Sequence, residues 1–245
     1  MFKKTYGYIL GHPSTRRGYW GDWYYRGRYE SVLERLSKIR VSEGMTILEL
    51  GCGRGRYAQS LGVMGCGYYY IGCDIEAKSL KSAYKSQHTN YVLCDVHSLP
   101  FVKRCALVVL CSEVLEHLVL PYQVLGNMCE LPTHVLMLTF PEERPLRMFK
   151  DRHPEHISEI VKENVMHVLA SKDLRIIENS KIFTSFIPCG LLEFLRLPRN
   201  SLTQAVVSSL DALLRRIVPS YLVPHKTILI EARRPNANFR GSISA

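Results

Sequence analysis

The sequence predicts an α/β protein built on a parallel, doubly wound sheet with helices on both faces. Three observations carry that expectation. Apolar runs of strand length alternate with segments of helical period from Thr46 to Phe140. One run, Ala106 to Cys111, is apolar throughout, as a strand covered on both faces must be. The first run ends in a glycine-rich turn, Gly51-Cys52-Gly53-Arg54-Gly55, of the kind that joins a strand to a helix around a ligand.

The elements follow in order. Residues 1–26 are rich in Gly, Tyr, Trp and Arg without a clean period and read as an irregular arm. Tyr29 to Ile39 places Val32, Leu33, Leu36 and Ile39 at helical spacing. Strands are expected at Thr46–Leu50, Tyr68–Cys73, Tyr91–Cys94, Ala106–Cys111 and Val135–Phe140, the last stopped by Pro141. Between them, Arg56–Val63, Ala77–Gln87, Val114–Leu118 and Pro121–Cys129 read as helical. Beyond them come a helix over Glu155–Leu169, a strand over Leu174–Phe183, a largely helical stretch over Leu191–Val218 interrupted near Pro198, and a final strand over Lys226–Ala232.

The domain division expected is an N-terminal arm and helix over 1–43, acting as a cap on cofactor or substrate. A catalytic domain over 44–234 follows, with a helical insertion at about 188–223, and a flexible tail over 235–245. With 245 residues, 47% of them hydrophobic, the chain can bury a large core. The net charge of +10 points to an anionic partner without choosing among nucleic acid, anionic lipid and phosphorylated metabolites. The excess is partly local, with nine Lys and Arg against three acids in residues 1–40.

None of the eight cysteines forms a C-x-x-C pair, so the spacing of a zinc site is missing. Most sit in apolar runs and read as reduced thiols of a cytoplasmic protein. Met1-Phe2-Lys3-Lys4 is not followed by the apolar core of a signal peptide, and no stretch reaches the ~18 apolar residues of a membrane span.

The glycine turn narrows the ligand. Its spacing is G-x-G-x-G, not the G-x-G-x-x-G of dinucleotide sites. Glu49 stands two residues before the first glycine, poorly placed for a pyrophosphate and well placed for an ammonium group, which S-adenosylmethionine carries. Asp74 closes the second strand about 20 residues beyond the glycines, the distance at which an acid meets ribose hydroxyls. Asp95 closes the third. Any one of these acids could instead cap a helix, but three at successive strand ends fit a crevice better than three caps.

Four segments resemble the class I S-adenosylmethionine-dependent methyltransferases of the broad type 11 and type 12 kind. They are Ile47-Leu48-Glu49-Leu50-Gly51-Cys52-Gly53-Arg54-Gly55, Ile71-Gly72-Cys73-Asp74-Ile75, Cys94-Asp95-Val96-His97-Ser98-Leu99-Pro100-Phe101 and Ser112-Glu113-Val114-Leu115-Glu116-His117-Leu118. The resemblance implies a Rossmann-like, seven-stranded sheet whose last strand is antiparallel, with S-adenosylmethionine as cofactor. It implies that Gly51, Cys52, Gly53 and Gly55 line the methionine portion, that Asp74 binds the ribose beside Ile75, and that Asp95 and the backbone of Val96 contact the adenine. Ser112 and Glu113 would lie beside the cofactor and His117 on the acceptor side.

An oxygen or nitrogen acceptor needs its proton taken by a base working near neutral pH, and histidine is the natural candidate. His117, on the short helix after the fourth strand, and His156, just before a later helix, are the candidate catalytic residues. His153-Pro154-Glu155-His156 lacks an evident third ligand, so no metal is expected.

The acceptor is open. A small-molecule, lipid-linked or glycan-type acceptor fits Leu202–Val218, where Val206, Leu210, Leu213, Leu214 and Ile217 share one helical face with Arg215 and Arg216 near the end. That helix can be a lid, an interfacial helix in peripheral contact with anionic membrane, or an ordinary helix over the sheet. The alternative is an RNA methyltransferase using Arg16, Arg17, Tyr19, Trp20, Trp23, Tyr24, Tyr25, Arg26 and Arg28 to bind phosphates and stack on bases. A third reading is a binding module that keeps the fold without the chemistry.

Overall fold

A computed structural model describes residues 26–39, 44–63, 67–142, 156–183, 195–198, 200–217 and 226–235. The arm before Arg26, the stretch that holds His153 and Glu155, and the tail after residue 235 lie outside the described residues.

Helix α1 (Arg26–Lys38) precedes β1 (Thr46–Leu50), and the glycine turn joins β1 to α2 (Arg56–Val63). Then come β2 (Tyr69–Asp74), α3 (Ala77–Lys81), β3 (Thr89–Leu93), β4 (Ala106–Ser112), a 3-10 turn (Leu115–His117), α4 (Pro121–Met128) and β5 (Pro132–Pro141). The chain continues through α5 (Lys162–Ser171), β6 (Arg175–Phe183), α6 (Ser201–Ile217) and β7 (Lys226–Arg233). The strands form one seven-stranded sheet in the order β3-β2-β1-β4-β5-β7-β6. Only β7 runs against its neighbours, antiparallel to both β5 and β6. The doubly wound sheet with an antiparallel last strand is therefore the architecture observed.

Period-two alternation within the strands builds two cores. On β4, Val109 and Cys111 face the cluster under α4 and α5, with Leu125, Met128, Val165 and Leu169. Val108 and Leu110 face the opposite cluster under α1 and α2, with Val32, Leu33, Ala58 and Leu61. Both faces of β4 are thus buried, which is why its sequence carries no polar alternation. Arg35 ties α1 to the sheet edge by pairing with Glu178 on β6 and, at 3.8 Å, with Glu231 on β7. No helix among the described residues is long and apolar enough to cross a membrane.

Two helices are shorter than their periodicity predicts. The first stops at Lys81 rather than Gln87, because the Tyr84 backbone is taken by tertiary partners: its N–H donates to the Arg54 carbonyl at 3.1 Å and its carbonyl accepts from the Tyr91 hydroxyl at 2.5 Å. The second begins at Lys162 rather than Glu155, because the N–H groups of Ile157 and Ser158 both donate to the Glu116 carbonyl, each at 3.0 Å. Within the predicted helical stretch at 191–218, helix begins at Ser201, and Asn200 Oδ1 accepts the Thr203 N–H at 2.8 Å as its N-cap.

The order reversal lies between β1 and β4: from β1 the chain moves outward through β2 and β3, then returns to β4 and moves the other way. Open α/β sheets bind ligands at the carboxyl ends of the strands flanking such a point. The carboxyl ends of β1, β2 and β4 carry Glu49, Asp74, Ser112 and Glu113, and Asp95 follows β3.

Candidate active site

The turn after β1 holds a left-handed backbone at three positions: Gly51 at φ +73°, Gly53 at +52° and Gly55 at +68°. Two of the glycines also avoid collisions. A Cβ on Gly51 would stand 2.3 Å from Val114 Cγ2, and one on Gly55 would stand 2.2 Å from the Tyr91 hydroxyl. Gly53 differs, because a Cβ there meets nothing within 4 Å. Its surface is open, as close approach of a ligand to the backbone requires.

Hydrogen bonds fasten this turn to the end of β2. The N–H groups of Gly51 and Cys52 donate to the Cys73 carbonyl at 2.8 and 2.9 Å. The Gly53 N–H donates to Asp74 Oδ2 at 2.8 Å, and the Glu76 N–H donates to Asp74 Oδ1 at 2.8 Å. Each carboxylate oxygen keeps a second lone pair for an incoming hydroxyl. Ile75, next along, is 70% exposed and offers bare apolar surface beside that carboxylate.

Glu49 is the unexpected member. Rather than opening on the crevice, it is 3% exposed and accepts a hydrogen bond from the Tyr70 hydroxyl. Burial pushes its carboxyl up to about 8, the nearby Asp74 charge adds to the rise, and the Tyr70 bond only partly offsets it. Cys52 is also buried, and burial pushes its thiol far up, so it contributes shape rather than reactivity.

After β3, Asp95 accepts from the His97 N–H at 2.9 Å and from His97 Nδ1 at 2.8 Å, bonds that hold its carboxyl below the usual range. Val96 beside it is buried. At the end of β4, Ser112 Oγ hydrogen-bonds Thr139 Oγ1 at 2.8 Å and the Tyr57 hydroxyl at 3.3 Å. Glu113 adopts φ +55°, with its N–H donating to the Thr139 carbonyl at 2.8 Å.

Glu113 also pairs with Arg28 of α1 at 2.5 Å. Sequence reading placed Arg28 in a basic arm, yet the fold turns it inward against a site residue 85 positions away. Tyr57, which stacks on Tyr29 with ring centroids 4.6 Å apart, is a second site residue that the sequence did not mark. His117 and His156 do come together, edge to face, with ring centroids 4.9 Å apart. The buried carboxyl of Glu116 lies beside them.

Residues 48–131 match the model of the family described as Methyltransferase domain. That segment is similar to a methyltransferase domain. The match runs from β1 through α4 and so includes the turn, Asp74, Asp95 and the Ser112–His117 segment. No curated protein matches the chain in sequence. Among solved structures, the magnesium protoporphyrin IX methyltransferase ChlM of Synechocystis PCC 6803, crystallised with S-adenosylmethionine, is similar at a TM-score of 0.60 and 15% identity, covering 96% of this chain and 91% of its own. A geranyl diphosphate methyltransferase in complex with the same cofactor is similar at 0.62 and 17% identity, covering 93% and 94%. The 4+2 cyclase SpnF is similar at 0.62 and 17% identity, covering 95% and 93%. At such identities these structures establish the fold and no more. The four sequence segments that carry the resemblance fall, Ile47 apart, within the matched residues, and the seven-stranded fold it implies is the one observed.

The buried Glu49 carries a pH signature. Its folded value is raised above the ordinary 4.5, so the folded state holds the proton more tightly between about pH 4.5 and about pH 8. The stability it contributes is complete below about 4.5 and lost as pH rises through about 8. Glu49→Gln is therefore expected to remove part of the fall in Tm across that window and to melt above the wild type at about pH 8. Calorimetric melting of both proteins across that range checks this.

Proposed function

We propose that this chain transfers a methyl group from S-adenosylmethionine to a small-molecule, lipid-linked or glycan-type acceptor. The observation that carries the reading is the open backbone at Gly53, bonded to Asp74 at the end of the neighbouring strand and four residues past a buried acid at Glu49. A sulfonium ligand with an ammonium group suits that acid, since a nearby cation draws its proton off. The second lone pairs of the Asp74 oxygens suit ribose hydroxyls, and exposed Ile75 together with Asp95 and the Val96 backbone suits an adenine ring.

Bound there, S-adenosylmethionine supplies a methyl already activated by positive sulfur, so transfer is an in-line displacement. The chain's own task is alignment, worth several kcal/mol when two reactants are held in attack geometry. Ser112, Tyr57, Glu113 and Arg28 form a bonded floor at the end of β4 that would fix the acceptor side. His117 and His156 are the groups placed to take a proton from an acceptor oxygen or nitrogen. Two solved neighbours are named for small-molecule acceptors, magnesium protoporphyrin IX and geranyl diphosphate, which supports the small-molecule acceptor class.

Helix α6 gives that class a specific form. Its apolar stripe of Leu202, Val206, Leu210, Leu213 and Ile217 is exposed, each side chain by about half or more, while Val207 and Asp211 are buried. With a net charge of +10, this stripe suits peripheral contact with an anionic membrane that carries a lipid-linked acceptor. Vesicles of anionic phospholipid are expected to sediment the protein, and Leu210→Lys with Leu213→Lys to release it. Equal retention on neutral vesicles, or no retention at all, would contradict the membrane reading.

Gly53→Ala tests the cofactor reading directly. The added methyl meets open space, so only the left-handed backbone is penalised, by about 1 kcal/mol. The variant is expected to fold with a slightly lower Tm, yet to lose at least tenfold in S-adenosylmethionine affinity and in radiolabelled methyl transfer to extracted small molecules and lipids. Unchanged affinity would sink the reading. Transfer to RNA instead, lost steeply with added salt, would move the acceptor to the nucleic-acid class.

A further inference from the structure

We propose that Glu116, His117 and His156 form a binding site for a divalent cation of the zinc class. One ligand atom from each lies within 4.8 Å of the other two. The set is two imidazoles and one carboxylate, the donor combination that suits borderline cations such as Zn2+ and not the all-oxygen shells of Mg2+ or Ca2+. Around a tetrahedral zinc such donors stand about 3.4 Å apart, given metal–ligand distances of about 2.0–2.2 Å. The two imidazoles are half-buried, so modest side-chain rotation closes the difference.

The fold assembles these donors deliberately from two distant segments. Glu116 and His117 share the 3-10 turn after β4. His156 arrives 39 residues beyond His117, and the chain that follows it is laced to that turn. The Ile157 and Ser158 N–H groups donate to the Glu116 carbonyl at 3.0 Å each, and Ser158 Oγ donates to the Leu118 carbonyl at 2.5 Å. The Val161 N–H donates to the Tyr122 hydroxyl at 2.8 Å. These bonds fix the backbone on both sides of the cluster and so reduce the ordering that binding must impose. Burial of Glu116 removes water that would otherwise compete for the cation.

Three protein ligands leave at least one coordination position open, as in sites that hold an exchangeable water or a substrate oxygen. The cluster follows the end of β4 by four residues, on the strand-end side of the sheet where the candidate active site lies. The sequence concealed the set, because the His-x-x-His pair drew attention to His153 while the missing ligands lay in the Glu116-His117 dipeptide. The inference rests on the geometry of three side chains and stands whether or not the chain transfers methyl groups. A cation held there takes the lone pairs of His117 and His156, so their role as bases belongs to the cation-free protein.

The test is Zn2+ titration of the full chain after chelator stripping, in competition with a chromophoric chelator, with Mg2+ as comparator. Co2+ loading adds the ligand-field absorption of a tetrahedral nitrogen–oxygen site. The expected result is one equivalent of Zn2+ at micromolar Kd or tighter, preferred over Mg2+ by at least a hundredfold. Affinity should fall at least tenfold in both His156→Ala and His117→Gln, with far-ultraviolet circular dichroism unchanged. No stoichiometric Zn2+ binding would overturn the proposal, and so would binding that both variants retain in full, since the cation would then sit elsewhere. Loss of S-adenosylmethionine binding by the wild type would leave this result untouched and would count against the methyl-transfer reading alone.

Discussion

The turn between β1 and α2 is held to the end of β2 by three backbone donors, two on the Cys73 carbonyl and one on the Asp74 carboxylate. This junction is the constraint on which the rest of the site depends. It requires left-handed backbone at Gly51, Gly53 and Gly55, which only glycine adopts without penalty. It fixes Asp74 by both oxygens before any ligand arrives. It also lets Val114, just past β4, and Tyr91 of β3 pack against Gly51 and Gly55, where any side chain on the glycine would collide. Four successive strand ends are thereby locked into one surface, and preorganisation of this kind lowers what a ligand must spend on ordering its own site.

Against that rigid junction stands one group placed at a cost. Glu49 is buried, bonded to Tyr70 and close enough to the Asp74 charge to be pushed up to about 8. An apolar residue would stabilise the same position better, as buried carboxyls without a cation seldom favour the fold. Such a position at a strand end beside the glycine turn is where the proposed cationic ligand would lower the carboxyl's pKa.

Much of this was legible in the sequence. The bounds of β1 and α2 were read without error, and β4 was recognised as doubly buried, because apolar runs, glycine spacing and helical period are local properties. The resemblance correctly implied the antiparallel β7. What escaped depended on contacts between distant residues. Helix α3 stopped early because the Tyr84 backbone bonds Arg54 and Tyr91. Helix α5 started late because Ile157 and Ser158 bond the Glu116 carbonyl. Arg28 meeting Glu113, and Glu116 meeting both histidines, join segments that no periodicity connects. The inward turn of Glu49 depended on Tyr70 one strand over, where sequence alone suggested an open carboxylate.

The rigid junction of the β1, β2 and β3 ends is the proposed seat of S-adenosylmethionine. Amide hydrogen exchange with and without the cofactor tests it most directly, since it reports binding and place together. Slowed exchange is expected at residues 51–55, 74–76 and 95–97, with the backs of β5 and β7 unchanged. Saturating cofactor that leaves those three segments unprotected, or that protects only a region away from them, would contradict it.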